Sequence, residues 1–287
     1  MKPTLYIVPT PIGNLADFSE RAKAVLSSAA FITCEDTRHT SKLLMHFQIK
    51  TPTVSLHEHN EKERSANLIE RLLSSQEQCA AIVTDAGTPC ISDPGAFFVS
   101  EAHNAGVHIV SIPGPSALTS ALAASGFLQP RQIFSAFLPR QKKEQFHEFN
   151  VWQHAAPCVA VFYESPQRIA ATLQNLICHF GESLSLCLSR EISKLHEEHQ
   201  RGTPTKILDW LHTHKESLGE IAVCVNIPTE LKKESTQKLS MERAVLAVLE
   251  MREKGFRIKD SVKEVAEKNE LDAKALYSLV HKHNSEN

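Results

Sequence analysis

Several familiar signatures are missing from these 287 residues. No two of the ten glycines stand as Gly-x-Gly, which removes the dinucleotide-binding fingerprint. No Gly-Lys-Ser/Thr occurs, which removes the phosphate-binding P-loop. The seven cysteines, Cys34, Cys79, Cys90, Cys158, Cys178, Cys187 and Cys224, are odd in number and scattered, with no Cys-x-x-Cys pair. That argues against a disulfide framework and a zinc site, and fits a reducing compartment. An excess of one charge is also absent: 31 Lys and Arg face 33 Asp and Glu, a net −2. With no whole-chain basic footprint, any nucleic acid must be held by a local patch and by its shape. The 15 histidines add some room for positive charge. No apolar run approaches the ~18 residues of a membrane span. Met1-Lys2-Pro3-Thr4 leads straight into a strand-like run with no signal-peptide h-region. The expectation is a cytoplasmic protein with no membrane partner and no metal.

What is present is alternation. Leu5-Tyr6-Ile7-Val8, Phe31-Ile32-Thr33-Cys34, Ala80-Ala81-Ile82-Val83 and His108-Ile109-Val110-Ser111 read as buried strands. Between them, 19–28, 37–47, 61–73 and 94–105 have helical patterning. This βα order predicts a mostly parallel sheet covered on both faces. The second half repeats it, with strands at 159–162, 184–188 and 221–227 and helices at 166–179 and 204–214. Asp93-Pro94, Ser165-Pro166 and Thr203-Pro204 each put a capping side chain before a proline, a helix-start device. Gly126-Phe127-Leu128-Gln129-Pro130 reads as a linker. From Thr229 to Gln237 the chain is polar, and 241–254, 259–268 and 272–283 read as three short helices. Val262, Val265 and Ala266, with Ala275, Leu276 and Leu279, supply their apolar spacing, and the break at 269–271 makes a helix-turn-helix-like pair. The expected division is an α/β domain over 1–125, a second over 126–228, and a linker with helical extension over 229–287.

In open α/β sheets, ligands sit beyond the carboxyl ends of the strands. Three strand-end segments are rich in Gly, Pro and small polar residues: Pro9-Thr10-Pro11-Ile12-Gly13-Asn14, Thr84-Asp85-Ala86-Gly87-Thr88-Pro89 with its continuation to Gly95, and Ile112-Pro113-Gly114-Pro115-Ser116-Ala117. Such loops bring backbone groups close to a ligand. Any one could be a plain turn; three together point to a ligand site.

Charged groups follow other strands. Glu35-Asp36-Thr37-Arg38 comes after the second, where Asp36 or Thr37 could simply cap a helix. His57-Glu58-His59-Asn60 comes just ahead of the helix at 61–73, and reads as a polar substrate-facing loop sooner than a metal site, for no third ligand has matching spacing. Arg131, Arg140, Lys142 and Lys143 lie near Phe134 and Phe137, a mixture that holds phosphates and stacks bases, although the two aromatics could equally be core. Glu164 and the pair Arg190 and Glu191 end later strands, where an ion pair is usually structural, but the strand-end position keeps them in play.

Taken in order, Tyr6 to Leu15, Glu35-Asp36-Thr37-Arg38, His59-Asn60-Glu61, Asp85-Ala86-Gly87-Thr88-Pro89, Ser92-Asp93-Pro94-Gly95, Pro113-Gly114-Pro115-Ser116-Ala117, Phe137-Leu138-Pro139-Arg140 and Phe162-Tyr163-Glu164-Ser165 resemble the signature set of the ribosomal RNA small subunit methyltransferase I family. These are tetrapyrrole-methylase-like, class III methyltransferases. The resemblance implies two α/β domains with S-adenosylmethionine in the cleft between them, a homodimer, and a helix-turn-helix extension. It implies 2′-O-methylation of a cytidine ribose in the decoding centre of 16S ribosomal RNA, within the 30S subunit. Cofactor contacts are then expected at Pro11 and Ile12, Asp85, Gly87, Thr88 and Ile91, Ser116 and Ala117, and Tyr163, Leu188 and Cys224. Glu35, Asp36, Arg38, His57, His59 and Asn60 match the presumed RNA side, with the base expected among Glu35, Asp36, His57 and His59, and Arg38 on a phosphate. The chain departs from the family with Ala136 where Gly is frequent, Gln141 where Lys is, and Gln167 where His is. Two rivals remain open: a small-molecule tetrapyrrole methylase, which usually carries Gly-x-Gly where this chain has Pro9-Thr10-Pro11, and a non-catalytic ribosome-assembly factor.

Overall fold

Strands β1 (Thr4–Ile7), β2 (Ile32–Cys34), β3 (Thr53–Ser55), β4 (Cys79–Ile82) and β5 (His108–Ser111) form a parallel sheet in the order β3-β2-β4-β1-β5. They are seen in a computed structural model that describes residues 2–76, 78–214, 219–229, 241–253, 257–269 and 271–286. Alternation along each strand feeds two cores. Ile32, Cys34, Ala81 and Val83 pack with Ala22 and Leu26 of α1 (Glu20–Ser28) and Leu44 of α2 (Thr37–His46). Phe31, Ala80 and Ile82 pack the other way, with Leu68 and Leu72 of α3 (Glu61–Ser74) and Phe98 and Ala102 of α4 (Ala96–Asn104). The unbroken apolar runs read from the sequence are what a parallel sheet covered on both faces requires.

The second sheet departs from simple repetition. Strands β6 (Gln132–Phe137), β7 (Cys158–Glu164), β8 (Ser185–Arg190), β9 (Glu198–Gly202) and β10 (Ile221–Ile227) lie in the order β6-β7-β10-β8-β9, and only β6 and β7 run parallel. The edge strands β6 and β9 escape the sequence reading. Glu198-His199-Gln200-Arg201-Gly202 has no apolar residue at all, because an edge strand is held by its ladder bonds to β8 and buries little side chain. One face of this sheet meets α5 (Ala117–Ser125), through Leu118, Ala121 and Leu122 against Val161, Cys187, Ala222 and Cys224. A helix that precedes residue 126 in the chain thus packs on the second sheet. The helices α6 (Lys142–Ala155), α7 (Ile169–Phe180) and α8 (Pro204–Thr213) complete this half, and Trp152 of α6 stacks on Phe162 of β7 at 5.9 Å.

Of the three expected proline caps, one forms. The Thr203 hydroxyl accepts the Lys206 N–H, with Pro204 in the first turn of α8. Asp93 instead accepts from the Thr84 hydroxyl at 2.8 Å, and α4 starts after Gly95. α7 starts only at Ile169, beyond the Ser165-Pro166 pair.

Compact units are 1–229 and 230–287. In the second, α9 (Met241–Glu253), α10 (Ile258–Asn269) and α11 (Ala273–Glu286) enclose Ala244, Val248, Val262, Val265, Ala266, Leu276 and Val280. Ala275 and Leu279, expected inside, are exposed; on α11 the buried stripe is Leu276 and Val280, one turn apart. Asp272 caps α11 by accepting the N–H groups of Lys274 and Ala275. Beyond Thr229 the expected linker lies outside the described residues, as does Glu270 in the expected break. No helix among the described residues is long and apolar enough to cross a membrane.

A pH dependence follows from α7. The His179 ring sits among Phe146, Phe149 and Phe180, its Nε2 buried without a partner, and burial pulls its pKa below the ordinary 6.5. The unfolded chain takes up this proton first as pH falls, so the stability present above 6.5 declines on acidification. His179→Leu should flatten the fall in melting temperature between about pH 7.5 and 5.5. An equal fall in both proteins would contradict this origin.

Candidate functional site

All five parallel strands end at one edge of the first sheet, where the ends of β4, β1 and β5 are neighbours. Their loops are tied together. Thr10 and Gly87 exchange both backbone hydrogen bonds, at 2.9 and 3.1 Å, and the Thr10 hydroxyl donates to Thr84 O. The Thr88 hydroxyl donates to Pro115 O at 3.1 Å. Gly95 closes the second loop with a φ of 120°, where a Cβ would lie 2.4 Å from Ile82 Cδ1.

Facing these loops is one end of the second sheet. Antiparallel pairing sets Ile221, at the start of β10, opposite Glu164, at the end of β7. Between the two sheets lies a cleft of about 440 Å³. Ile12, Asp85 to Thr88, Ile91 to Asp93, Ser116 and Ala117 line one side; Phe137, Tyr163 to Pro166, Ile192 and Gly219 to Ala222 line the other. Burial raises the pKa of the Tyr163 phenol, although a backbone hydrogen bond from Leu118 works the other way. The halves also meet beside the cleft, where the Ser193 hydroxyl donates to the Asp17 carboxylate. There Gly13 lies so close that a Cβ would stand 3.2 Å from the Ser193 carbonyl carbon and 3.3 Å from Ile192 O.

Of the residues expected on a cofactor, Ile12, Asp85, Gly87, Thr88, Ile91, Ser116, Ala117 and Tyr163 line the cleft. Pro11 does not line it, though its neighbour Ile12 does. Leu188 and Cys224 are fully buried inside the second sheet and do not line it either. The reason is topological. β8 runs through Leu188 to reach the cleft at Ile192, and β10 runs away from it, so Ile221 and Ala222 precede the buried Cys224. Burial pushes the Cys224 thiol up to about 12. Ile192, Gly219 and Glu220 were not expected at the site. The Gly219-Glu220 turn ahead of a strand was visible, but its place depended on knowing that β10 is antiparallel.

The acidic and histidine groups stand at the same sheet edge, after β2 and β3. Glu35 is exposed; partial desolvation of its carboxyl and the nearby Asp85 and Asp93 charges raise its pKa. Asp93 is raised too, by burial first and then by Asp85. Asp36 caps α2 and grips Arg38 with both oxygens, bonds that pull it down to about 2. Arg38 is otherwise open to solvent. Asn60 is engaged with His57: its Oδ1 accepts the His57 backbone N–H and its Nδ2 donates to His57 Nε2, both at 2.9 Å. His57 Nδ1 is buried and unpartnered, and the His59 ring lies 6.0 Å away. Asp85 Oδ1 is likewise buried without a partner. Among the described residues, no group of three or more His, Cys, Asp or Glu is placed to hold a metal ion.

The basic residues divide. Arg140, Lys142 and Lys143 are exposed just past the cleft end of β6. Arg131 precedes the opposite end of that strand and donates to Ala155 O, so it stands apart from them by the strand's length, roughly 20 Å.

Residues 4–207 match the family described as Tetrapyrrole (Corrin/Porphyrin) Methylases. The chain is similar to the ribosomal RNA small subunit methyltransferase I of Vibrio cholerae, 39% identical over 277 residues that cover 96% of this chain and 93% of that protein. Its counterpart in Synechocystis is 36% identical over 96% of each chain. Among solved structures, the cobalt precorrin-4 methyltransferase of cobalamin biosynthesis superposes with a TM-score of 0.57 at 14% identity, covering 78% of this chain and 94% of that one. At that identity the likeness speaks for the fold.

The bulge in β6 generates a stability prediction. Its register with β7 shifts between Phe134 and Phe137, and Ala136 there has a φ of 50°. A Cβ is strained in that region, and glycine is not. Ala136→Gly should stabilise the protein by about 0.5–1 kcal/mol in urea unfolding; a loss of stability would mean that the methyl's packing outweighs the strain.

Proposed function

The chain belongs to the ribosomal RNA small subunit methyltransferase I family, within the tetrapyrrole methylases, and on that premise we propose that it transfers a methyl group from S-adenosylmethionine to the 2′-oxygen of a cytidine ribose in the decoding centre of 16S ribosomal RNA. The observation that carries this reading is the adjacency of two chemistries. A mixed apolar and polar cleft of ligand size opens beside a strand edge that bears a carboxylate of raised basicity.

The cleft suits the methyl donor. The orphaned Asp85 Oδ1 asks for a ligand's donor group, and the Asp85 and Asp93 carboxyls suit a positively charged one. Thr88 and Ser116 would hold polar groups, and Ile12, Ile91 and Tyr163 the flat apolar part. S-adenosylmethionine supplies a methyl already activated on a sulfonium, so the protein's task is alignment and handling of the acceptor's proton. A ribose hydroxyl attacks well only as its proton leaves. Asp36, bound to Arg38, is a poor base. The His57 Nε2 is occupied by Asn60. Glu35 is open, more basic than an ordinary carboxylate, and electrostatically coupled to the cleft through Asp85 and Asp93. We assign it the base. Arg38, Arg140, Lys142 and Lys143 would hold phosphates around the acceptor. The substrate is proposed to be the assembled 30S subunit in the cytoplasm, since a chain of net charge −2 must rely on shape as well as charge. A homodimer is the proposed working form.

Mapping of 2′-O-methylation in RNA from a deletion strain tests the function: loss of the mark on the decoding-centre cytidine is expected, and its full retention overturns the assignment. The base is tested by single turnover at saturating donor. Glu35→Gln should slow methyl transfer by about 10²–10⁴-fold while leaving S-adenosylmethionine affinity unchanged, and Asp36→Asn should cost far less. The acid limb of the native rate profile should fall at a pH above that of an ordinary carboxylate, because the raised Glu35 pKa leaves it protonated there. Native rates in Glu35→Gln remove it from this role.

A further inference from the structure

We propose that Arg168 is a positioning residue for the cleft, acting at a distance through the turn that carries Phe137. The inference rests on reading the cleft as the S-adenosylmethionine site.

Glu164 ends β7 at only 2% exposure. A carboxylate taken out of water must be fully partnered, and this one is. Its Oε1 accepts the Ser165 N–H at 2.9 Å, its Oε2 accepts the Thr172 hydroxyl at 2.8 Å, and Arg168 Nε lies 3.3 Å from Oε1. That pairing fixes the plane of the guanidinium and aims its remaining donors. Arg168 Nη2 donates to two successive carbonyls of the next segment, Leu138 O at 2.6 Å and Pro139 O at 2.9 Å. Only a planar, multi-donor cation can grip a carboxylate on one side and a backbone on the other.

The segment it grips is poorly held by its sheet. β6 is an edge strand, its register with β7 breaks between Phe134 and Phe137, and Ala136 is strained within the break. The first residue after the break is Phe137. It lines the cleft with its ring 5.6 Å from that of Tyr163, yet remains 59% exposed. Nothing in its own burial fixes it. Its placement follows from the carbonyls of the two residues after it. A second tie runs in parallel, from Gln145 Nε2 to Pro139 O at 2.8 Å, with Gln145 itself held by Asn175. The sheet therefore delegates one wall of the cleft to side chains of α6 and the α7 region, with Arg168 the charged member.

The test is calorimetric titration of the full chain with S-adenosylmethionine, alongside melting temperatures. Arg168→Met should weaken binding about tenfold, a cost of ordering a loosened wall on the ligand. Thr172→Val removes a different partner of Glu164 and leaves the grip on the turn intact. It should lower the melting temperature without moving the dissociation constant, which separates positioning from general stability. Phe137→Ala should weaken binding, and adding Arg168→Met to it should weaken binding no further, since the arginine acts through that ring. Additive losses in the double variant, or an unchanged dissociation constant in Arg168→Met, overturn the proposal. If the native chain binds no S-adenosylmethionine, the reading of the cleft falls and this inference with it.

Discussion

The reciprocal backbone pair between Thr10 and Gly87 is the contact on which the site turns. The loops that end β1 and β4 are rich in glycine and proline, and this pair, together with the Thr10 hydroxyl on Thr84 O, ties one to the other. With it, and with Thr88 reaching Pro115, three loops become one surface. The strand order β3-β2-β4-β1-β5 makes the pairing available, because it sets the end of β1 between those of β4 and β5. Ile12, Thr88, Ser116 and Ala117 then converge, although more than a hundred residues separate the first from the last.

Electrostatics at that edge sort chemically similar side chains into different work. Asp36 and Glu35 are neighbours in the chain, yet one is held down by Arg38 and the other raised by partial desolvation and by the carboxyls of Asp85 and Asp93. His57 and Asn60 look equally available in the sequence, but the Asn60 amide is engaged by the His57 backbone N–H and Nε2. Within the Glu35-Asp36 pair, one carboxylate is engaged and the other left open. That open group is also the one whose protonation is coupled to the cleft.

The second sheet shows where reading by analogy from the first half fails. Strands recognised by apolar runs were found where expected, but their direction was not visible. An antiparallel β10 brings its beginning to the cleft, so Ile221 and Ala222 line it while Cys224 packs under α5. The edge strand β9 was missed for the opposite reason: it has no hydrophobic pattern because its stability comes from the ladder. The departure noted at Ala136 acquires a meaning only in three dimensions, where it marks the strained bulge that Arg168 and Gln145 brace from beyond.

By itself the sequence determined the α/β class, the covered parallel sheet, the family and most of the residues on one side of the cleft. Those features are local: apolar runs set strands, and small residues at strand ends let backbone approach a ligand. Tertiary structure decided which loops join, which end of each strand meets the cleft, which carboxylate is basic, and which arginine lies by the site. Those depend on pairing and burial between segments far apart in the chain. A residue's environment, and hence its pKa, hydrogen-bond partners and exposure, is a sum over neighbours that linear order does not specify.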